Sequence, residues 1–102
     1  MYQLEFLDSS IKDMIEIAGY ISNNLNNKSA AYSLINKIIS SANDLVLFPY
    51  SSSIDKSLTN TKLLYRKIKI KNYYIFYTIN EKNKKVIVVR VLYSKRNYKT
   101  IM

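Results

Sequence analysis

The sequence predicts an α+β domain: a helical hairpin packed on one face of a mainly antiparallel four-stranded sheet, in the order β-α-α-β-β-β. Three observations lead there. Between Ser10 and Leu45 apolar residues recur at three- and four-residue steps, the period of helices with one buried face. From Leu64 onward the pattern changes to alternating and continuous runs of β-branched and aromatic residues, as strands require. The 102 residues, 48% of them hydrophobic, suffice for one modest core, so 1–102 reads as a single domain.

Tyr2, Leu4 and Phe6 alternate with Gln3 and Glu5, a short strand with one buried face. Asp8-Ser9-Ser10 offers capping side chains to a first helix over roughly Ser10–Leu25, whose stripe is Ile11, Met14, Ile15, Ala18, Ile21 and Leu25. Asn26-Asn27-Lys28-Ser29 breaks it, with Ser29 the expected cap of a second helix. There the stripe is Ala31, Leu34, Ile35, Ile38, Ala42 and Leu45. That helix should stop before Phe48-Pro49, because proline disfavours a helical residue ahead of it. Residues 50–61, rich in Ser, Thr and Asn, read as a loop without internal structure. In the strand 64–70, Arg66, Ile68 and Ile70 share one face, and Tyr65, Lys67 and Lys69 the other. Asn72 is the turn-former before the strand 73–79, and Asn80-Glu81-Lys82-Asn83 turns into a last strand, 85–93. Its nearly continuous apolar run belongs mid-sheet, covered on both faces.

Composition excludes much chemistry. Without cysteine there is no disulfide, thiolate metal site or thiol nucleophile, and without histidine no imidazole base, Ser-His-Asp triad or His-based zinc site. One glycine cannot build a phosphate-cradling loop. Neither a cofactor nor a metal is expected. No run reaches the about 18 apolar residues of a membrane span, and Met1–Leu7 does not read as a signal peptide, so the expected compartment is the cytoplasm.

Charge is the positive signal. Sixteen Lys and Arg face seven Asp and Glu, a net +9. Residues 1–55 carry Lys12, Lys28 and Lys37 against six acids, a balance of −3. Residues 56–102 hold the other thirteen cations and only Glu81, a balance of +12. Such asymmetry points to a polyanion-facing half, with nucleic acid the first candidate.

Three constellations stand out there. Lys67, Lys69 and Lys71 alternate along one strand, beside Tyr74 if the next strand folds back. Unpaired lysines do not enter cores, so this face is either solvated or meets a ligand. In the tail, Tyr93-Ser94-Lys95-Arg96-Asn97-Tyr98-Lys99 combines cations that can hold phosphate with an aromatic that can stack a base; the plain alternative is a frayed terminus. Arg90, inside a strand of valines, needs an ion pair from the helices or a ligand. Asp13 and Glu16 read as a solvated helix face.

Taken in order, Lys12-Asp13-Met14-Ile15-Glu16-Ile17-Ala18-Gly19-Tyr20-Ile21, Ala30-Ala31, Leu47-Phe48-Pro49, Tyr65-Arg66-Lys67-Ile68-Lys69-Ile70, Asn72-Tyr73-Tyr74-Ile75-Phe76-Tyr77 and Val88-Val89-Arg90-Val91-Leu92-Tyr93-Ser94-Lys95-Arg96-Asn97-Tyr98 resemble the RelE/ParE superfamily of toxins from type II toxin–antitoxin modules. The resemblance covers essentially the whole chain and implies the same fold. It also implies a small antitoxin that wraps the helical hairpin and covers the basic face. Two activities share this fold, so fold does not choose between them.

RelE-like members cleave mRNA in the ribosomal A site with a histidine-free cluster of cations. The resemblance places their strand lysines at Lys67 and Lys69, their late arginine at Arg96 and their C-terminal tyrosine at Tyr98, at a shorter spacing. Tyr74 stands where the type member has an arginine. The reaction would end in a 2′,3′-cyclic phosphate. Lys67 or Lys69, its pKa lowered by neighbouring cations, would be the base, with Arg66 or Arg96 on the pentacovalent phosphate and Tyr74 or Tyr98 stacking. Lys71, Arg90, Lys95 and Lys99 would complete the surface for the target. ParE-like members instead poison DNA gyrase, and the long hairpin, Phe48-Pro49 and Arg90-Val91-Leu92 resemble them as well. Ribosome-dependent cleavage is the favoured expectation and gyrase poisoning the alternative, ahead of a non-toxic nucleic-acid-binding module.

Overall fold

The computed structural model describes residues 1–58 and 63–102. β1 (Gln3–Phe6) leads into α1 (Asp8–Gly19), which widens without a break into a π turn at Tyr20–Asn24. α2 (Lys28–Leu47) runs back, and β2 (Arg66–Ile70), β3 (Tyr73–Asn80) and β4 (Lys85–Tyr93) follow, with a 3-10 turn at Tyr98–Thr100. The sheet order is β1-β4-β3-β2; β1 lies parallel to β4 and the other pairs are antiparallel. The sheet is therefore mixed, since the hairpin of helices returns the chain to the side from which β1 started. No described helix is long and apolar enough to cross a membrane.

α2 behaves as its periodicity requires. Ala31, Leu34, Ile38, Ala42 and Leu45 are buried, and the last four join Ile75, Tyr77, Val86, Val88 and Val91 in the main core. Its cap is Asn27 rather than Ser29: Asn27 Oδ1 accepts from the Ala30 N–H at 3.0 Å. It ends at Leu47, ahead of Pro49.

α1 departs from the expected stripe. Met14, Ile17 and Ile21 pack on the core, whereas Ile11, Ile15 and Leu25 are 41%, 66% and 56% exposed. The innermost positions belong to Ser10 and Asp13. Position explains this inversion. β1 pairs with β4 only as far as Val88, and the Leu7 N–H donates to the Val88 carbonyl at 2.9 Å. Beyond that point α1 itself lies along β4, so its inward residues meet backbone polar groups. Ser9 Oγ donates to the Val89 carbonyl at 2.6 Å, and the Val91 N–H donates to Asp13 Oδ2 at 2.9 Å. A polar helix face thus stands in for the missing strand, as buried backbone groups demand. None of Asp8, Ser9 and Ser10 caps α1; the capping position is Leu7, without a side-chain bond, and Ser10 Oγ donates to its carbonyl.

The second face of the sheet is covered too. Phe76, Val89 and Leu92 are buried there with Leu58, and Tyr65, Tyr74, Ile87, Tyr98, Ile101 and Met102 pack around them. β4 is covered on both faces, as its apolar run predicts, and the tail is docked rather than frayed. A register shift at Phe76/Tyr77, which pair with Arg90 and Val88, leaves Val89 as the extra residue of a β-bulge in β4.

The loop after α2 has more structure than its composition suggests. Ile54 forms a bridge with Arg66, and the Asp55 N–H donates to the Tyr65 carbonyl at 2.8 Å. The buried Tyr77 hydroxyl donates to the Pro49 carbonyl at 2.8 Å and lies 2.5 Å from Ser52 Oγ. Residues 59–61 of the expected loop lie outside the described residues. In the β2–β3 turn it is Lys71, not Asn72, that takes a left-handed backbone conformation, φ 53°.

Candidate functional site

β2 and β3 set the geometry of the second sheet face. Alternation turns Ile68 and Ile70 to the helices, leaving Tyr65 and Lys67 on the opposite face. Antiparallel register brings Tyr74 opposite Lys69, and the docked tail lays Tyr98 over the same ground. Tyr98 meets Phe76 at 4.9 Å between ring centroids and Tyr74 edge-on at 5.8 Å. Lys67 Nζ lies 4.5 Å from the Tyr74 ring centre and 5.1 Å from that of Tyr98.

Lys67 is not the unpaired lysine that alternation implied. Its ammonium donates to the Tyr98 hydroxyl at 3.0 Å and pairs with Asp55 Oδ2 at 3.0 Å. The Tyr98 hydroxyl in turn donates to the same carboxylate oxygen at 3.1 Å. The second Asp55 oxygen accepts from the Ser57 N–H at 2.9 Å and from Ser57 Oγ at 2.5 Å. Asp55 is the deepest member, its side chain 6% exposed against 28% for Lys67. Burial alone would raise Asp55, but hydrogen bonds from Ser57, Lys67 and Tyr98 outweigh it and bring its pKa to about 2.

That arrangement corrects the expected electrostatics. Burial pulls the Lys67 pKa down, yet the bonds to Tyr98 and Asp55 and the Asp55 charge raise it above the ordinary value. A lysine lowered by neighbouring cations is therefore not what stands here. Lys67 stands here as a cation fixed by a carboxylate and a hydroxyl.

The remaining candidates divide by place. Lys69, Lys71, Lys95 and Lys99 are exposed and enter no ion pair among the described residues. Arg66 is held away from Lys67: its guanidinium donates to the Ser52 carbonyl and lies 4.9 Å from the Tyr50 ring centre. Arg90 is committed inward. It grips Asp13 with two bonds, Nε to Oδ2 at 2.7 Å and Nη2 to Oδ1 at 2.8 Å, which with a smaller opposing effect of burial raises its pKa. This is the ion pair with a helix acid that its position called for, and Asp13 is correspondingly a buried anchor rather than a solvated residue. Arg96 is exposed and lines a groove of about 600 Å³ with Glu16, Tyr20, Leu25, Tyr73 and Tyr93. Its carbonyl accepts from the Tyr98 N–H at 2.8 Å, but no side-chain hydrogen bond joins its guanidinium to the Lys67 group among the described residues.

So Lys67, Tyr74 and Tyr98 come together, Lys69 lies across from Tyr74, and Arg66, Arg90 and Arg96 stand apart. Sequence reasoning missed Asp55 and Ser57. The only local signal was Asp-Lys-Ser, a turn in which the carboxylate can bond the N–H two residues on.

Over residues 4–98 the sequence matches the family model described as ParE toxin of type II toxin-antitoxin system, parDE. The chain belongs to this ParE toxin family. Solved structures share the fold. A chain of the chromosomal ParDE system from P. aeruginosa superposes with a TM-score of 0.75 at 12% identity, covering 93% of this chain and 98% of that one. The isolated E. coli RelE toxin gives 0.58 at 17% identity, with 100% of both chains covered. A chain of the intact E. coli RelBE complex gives 0.56 at 16% identity, covering 94% and 100%. Among curated proteins no sequence matches closely. This ParE-family chain is thus a type II toxin of the ParE/RelE superfamily, with two helices packed on a mixed four-stranded sheet.

Proposed function

We propose that the toxin arrests growth by cutting mRNA on the ribosome, in the A site, and that a small antitoxin neutralises it in the cytoplasm. The observation that carries this reading is the second sheet face, where a protonated Lys67 is held between Tyr74 and Tyr98, with Lys69, Lys71, Lys95 and Lys99 exposed. Fixed charge meets the phosphates of a single strand, and aromatic faces stack its bases.

In the reaction the 2′-oxygen bonds to the adjacent phosphorus and the bond to the 5′-oxygen breaks. The departing 5′-oxygen takes up a proton from solvent water, so the products are a 2′,3′-cyclic phosphate and a 5′-hydroxyl. Lys67 contributes charge to the phosphate oxygens as negative charge builds. Lys69, exposed across the strand pair from Tyr74, takes the 2′-hydroxyl proton, and Arg96 approaches the same phosphate from the tail.

A second reading has its own support. Arg96 lies with tyrosines in a groove rather than beside Lys67, and Tyr98 is spent in packing. A protein-binding surface that poisons DNA gyrase needs no converged cluster. Induced expression, with primer extension on translated messages and a gyrase supercoiling assay run in parallel, separates the two. New 5′ ends with unimpaired supercoiling are expected; growth arrest with inhibited supercoiling and no new ends would overturn the cleavage reading.

A further inference from the structure

The acid beneath Lys67 has no part in the chemistry just described, yet it is the best-bonded side chain on this face. Asp55 presents an anion to Lys67 Nζ at 3.0 Å and to the Tyr98 hydroxyl at 3.1 Å. Those are the two donors that would greet a phosphate oxygen arriving at the same place. A carboxylate and a phosphodiester each present one negative charge and accept hydrogen bonds from an ammonium and a hydroxyl. One lysine cannot fully serve both, and two anions side by side repel in a partly dry site.

We propose that Asp55 is an internal counter-anion that occupies the Lys67–Tyr98 seat until a phosphodiester of the RNA target replaces it. This rests on the RNA reading above and adds a residue that sets how tightly RNA is held. The free protein keeps Lys67 charged and aimed. Binding then exchanges one anion for another.

The turn that carries Asp55 is fastened well enough to return. Ser57 bonds the carboxylate with its N–H and its hydroxyl, the Asp55 N–H is bonded to Tyr65, and Leu58 packs beside Phe76, Val89 and Leu92. Releasing the carboxylate from Lys67 therefore disturbs Ser57 first. The Ser57 amide hydrogen is the local reporter of the exchange.

Two measurements with the full-length chain test this. The probe is a single-stranded RNA oligonucleotide made uncleavable by 2′-O-methyl groups, titrated at fixed salt. Asp55→Asn keeps the size and the acceptor for the Ser57 N–H but removes the charge. It should bind the probe about tenfold more tightly or better, the scale of one charge-assisted hydrogen bond no longer contested. Asp44→Asn removes the same charge from an exposed site on α2 and should change binding by less than about twofold. Equal gains from both substitutions would reduce the effect to net charge and overturn the proposal.

The second measurement uses the unaltered protein, so it stands even if Asp55→Asn does not fold. Hydrogen exchange at the Ser57 amide should speed up when the probe saturates the toxin. An amide equally protected with RNA bound would overturn the proposal. Failure of the cleavage reading would show itself elsewhere, as wild-type toxin leaving translated mRNA intact whatever Asp55 does to binding.

Discussion

Asp13 satisfies three donors with two oxygens: Arg90 Nε, Arg90 Nη2 and the Val91 N–H. Removing it would strand a guanidinium in the sheet and leave a backbone N–H without its acceptor. Asp13→Ala should lower stability by about 3–5 kcal/mol, the usual consequence of breaking a buried pair from one side. Urea unfolding measures it directly. A loss below about 1 kcal/mol would mean that water replaces the carboxylate without difficulty. Asp55 makes a separate residue-scale prediction through pH. Its carboxyl titrates near 2 in the fold against an ordinary 3.8, so it binds a proton less readily when folded. The resulting stability is fully present above about pH 4–5 and is lost as pH falls through about 2. One pKa unit is about 1.4 kcal/mol, which makes the contribution about 2 kcal/mol. Urea unfolding of wild type and Asp55→Asn at pH 7 and pH 2 should show the two converging in acid. A constant gap would assign the difference to packing instead.

At the scale of elements, periodicity carried most of the information. α2 sits where its stripe of Ala31, Leu34, Ile38, Ala42 and Leu45 puts it, because a buried helix face must repeat at 3.6 residues. β4 is central because an apolar run needs two covered faces. The α1 stripe misled because it lies where β1 ends, and the nearest partners there are backbone groups rather than side chains. Arg90 in a strand of valines, with Asp13 as a free acid on a helix, held that pairing in the sequence as charge complementarity. The Asp55–Lys67–Tyr98 set was not legible, because it joins a loop, a strand and a tail far apart in sequence, and alternation gives only the face. Capping was legible as a position and missed as a residue. Asn27 accepts from Ala30, whereas Ser29 lies inside the helix. Asn27→Ala should therefore cost about 1 kcal/mol, and Ser29→Ala should fall within about 0.5 kcal/mol of wild type. Thermal unfolding of both variants checks the assignment, and the reverse order would return the cap to Ser29.

For the whole molecule, the imbalance of charge outlives every pairing within it. The Asp13 and Asp55 pairs occupy Arg90 and Lys67, while Lys69, Lys71, Lys95, Arg96 and Lys99 remain exposed. If four of these meet phosphates of a single strand, log K should fall against log salt with a slope of about −3. Titrations of single-stranded RNA between low and moderate salt give that slope, and a flat response would exclude an electrostatic surface. The more direct question is whether that surface does chemistry. Purified wild-type toxin, Arg96→Ala and Lys69→Ala should be added to ribosomes paused on a defined mRNA, and the 5′ ends mapped. Wild type should cut within the A-site codon, and each variant should be slower by about 100-fold, the loss of one group acting on the transition state. Uncut mRNA in the wild-type reaction, from a toxin that still arrests growth, would contradict ribosome-dependent cleavage.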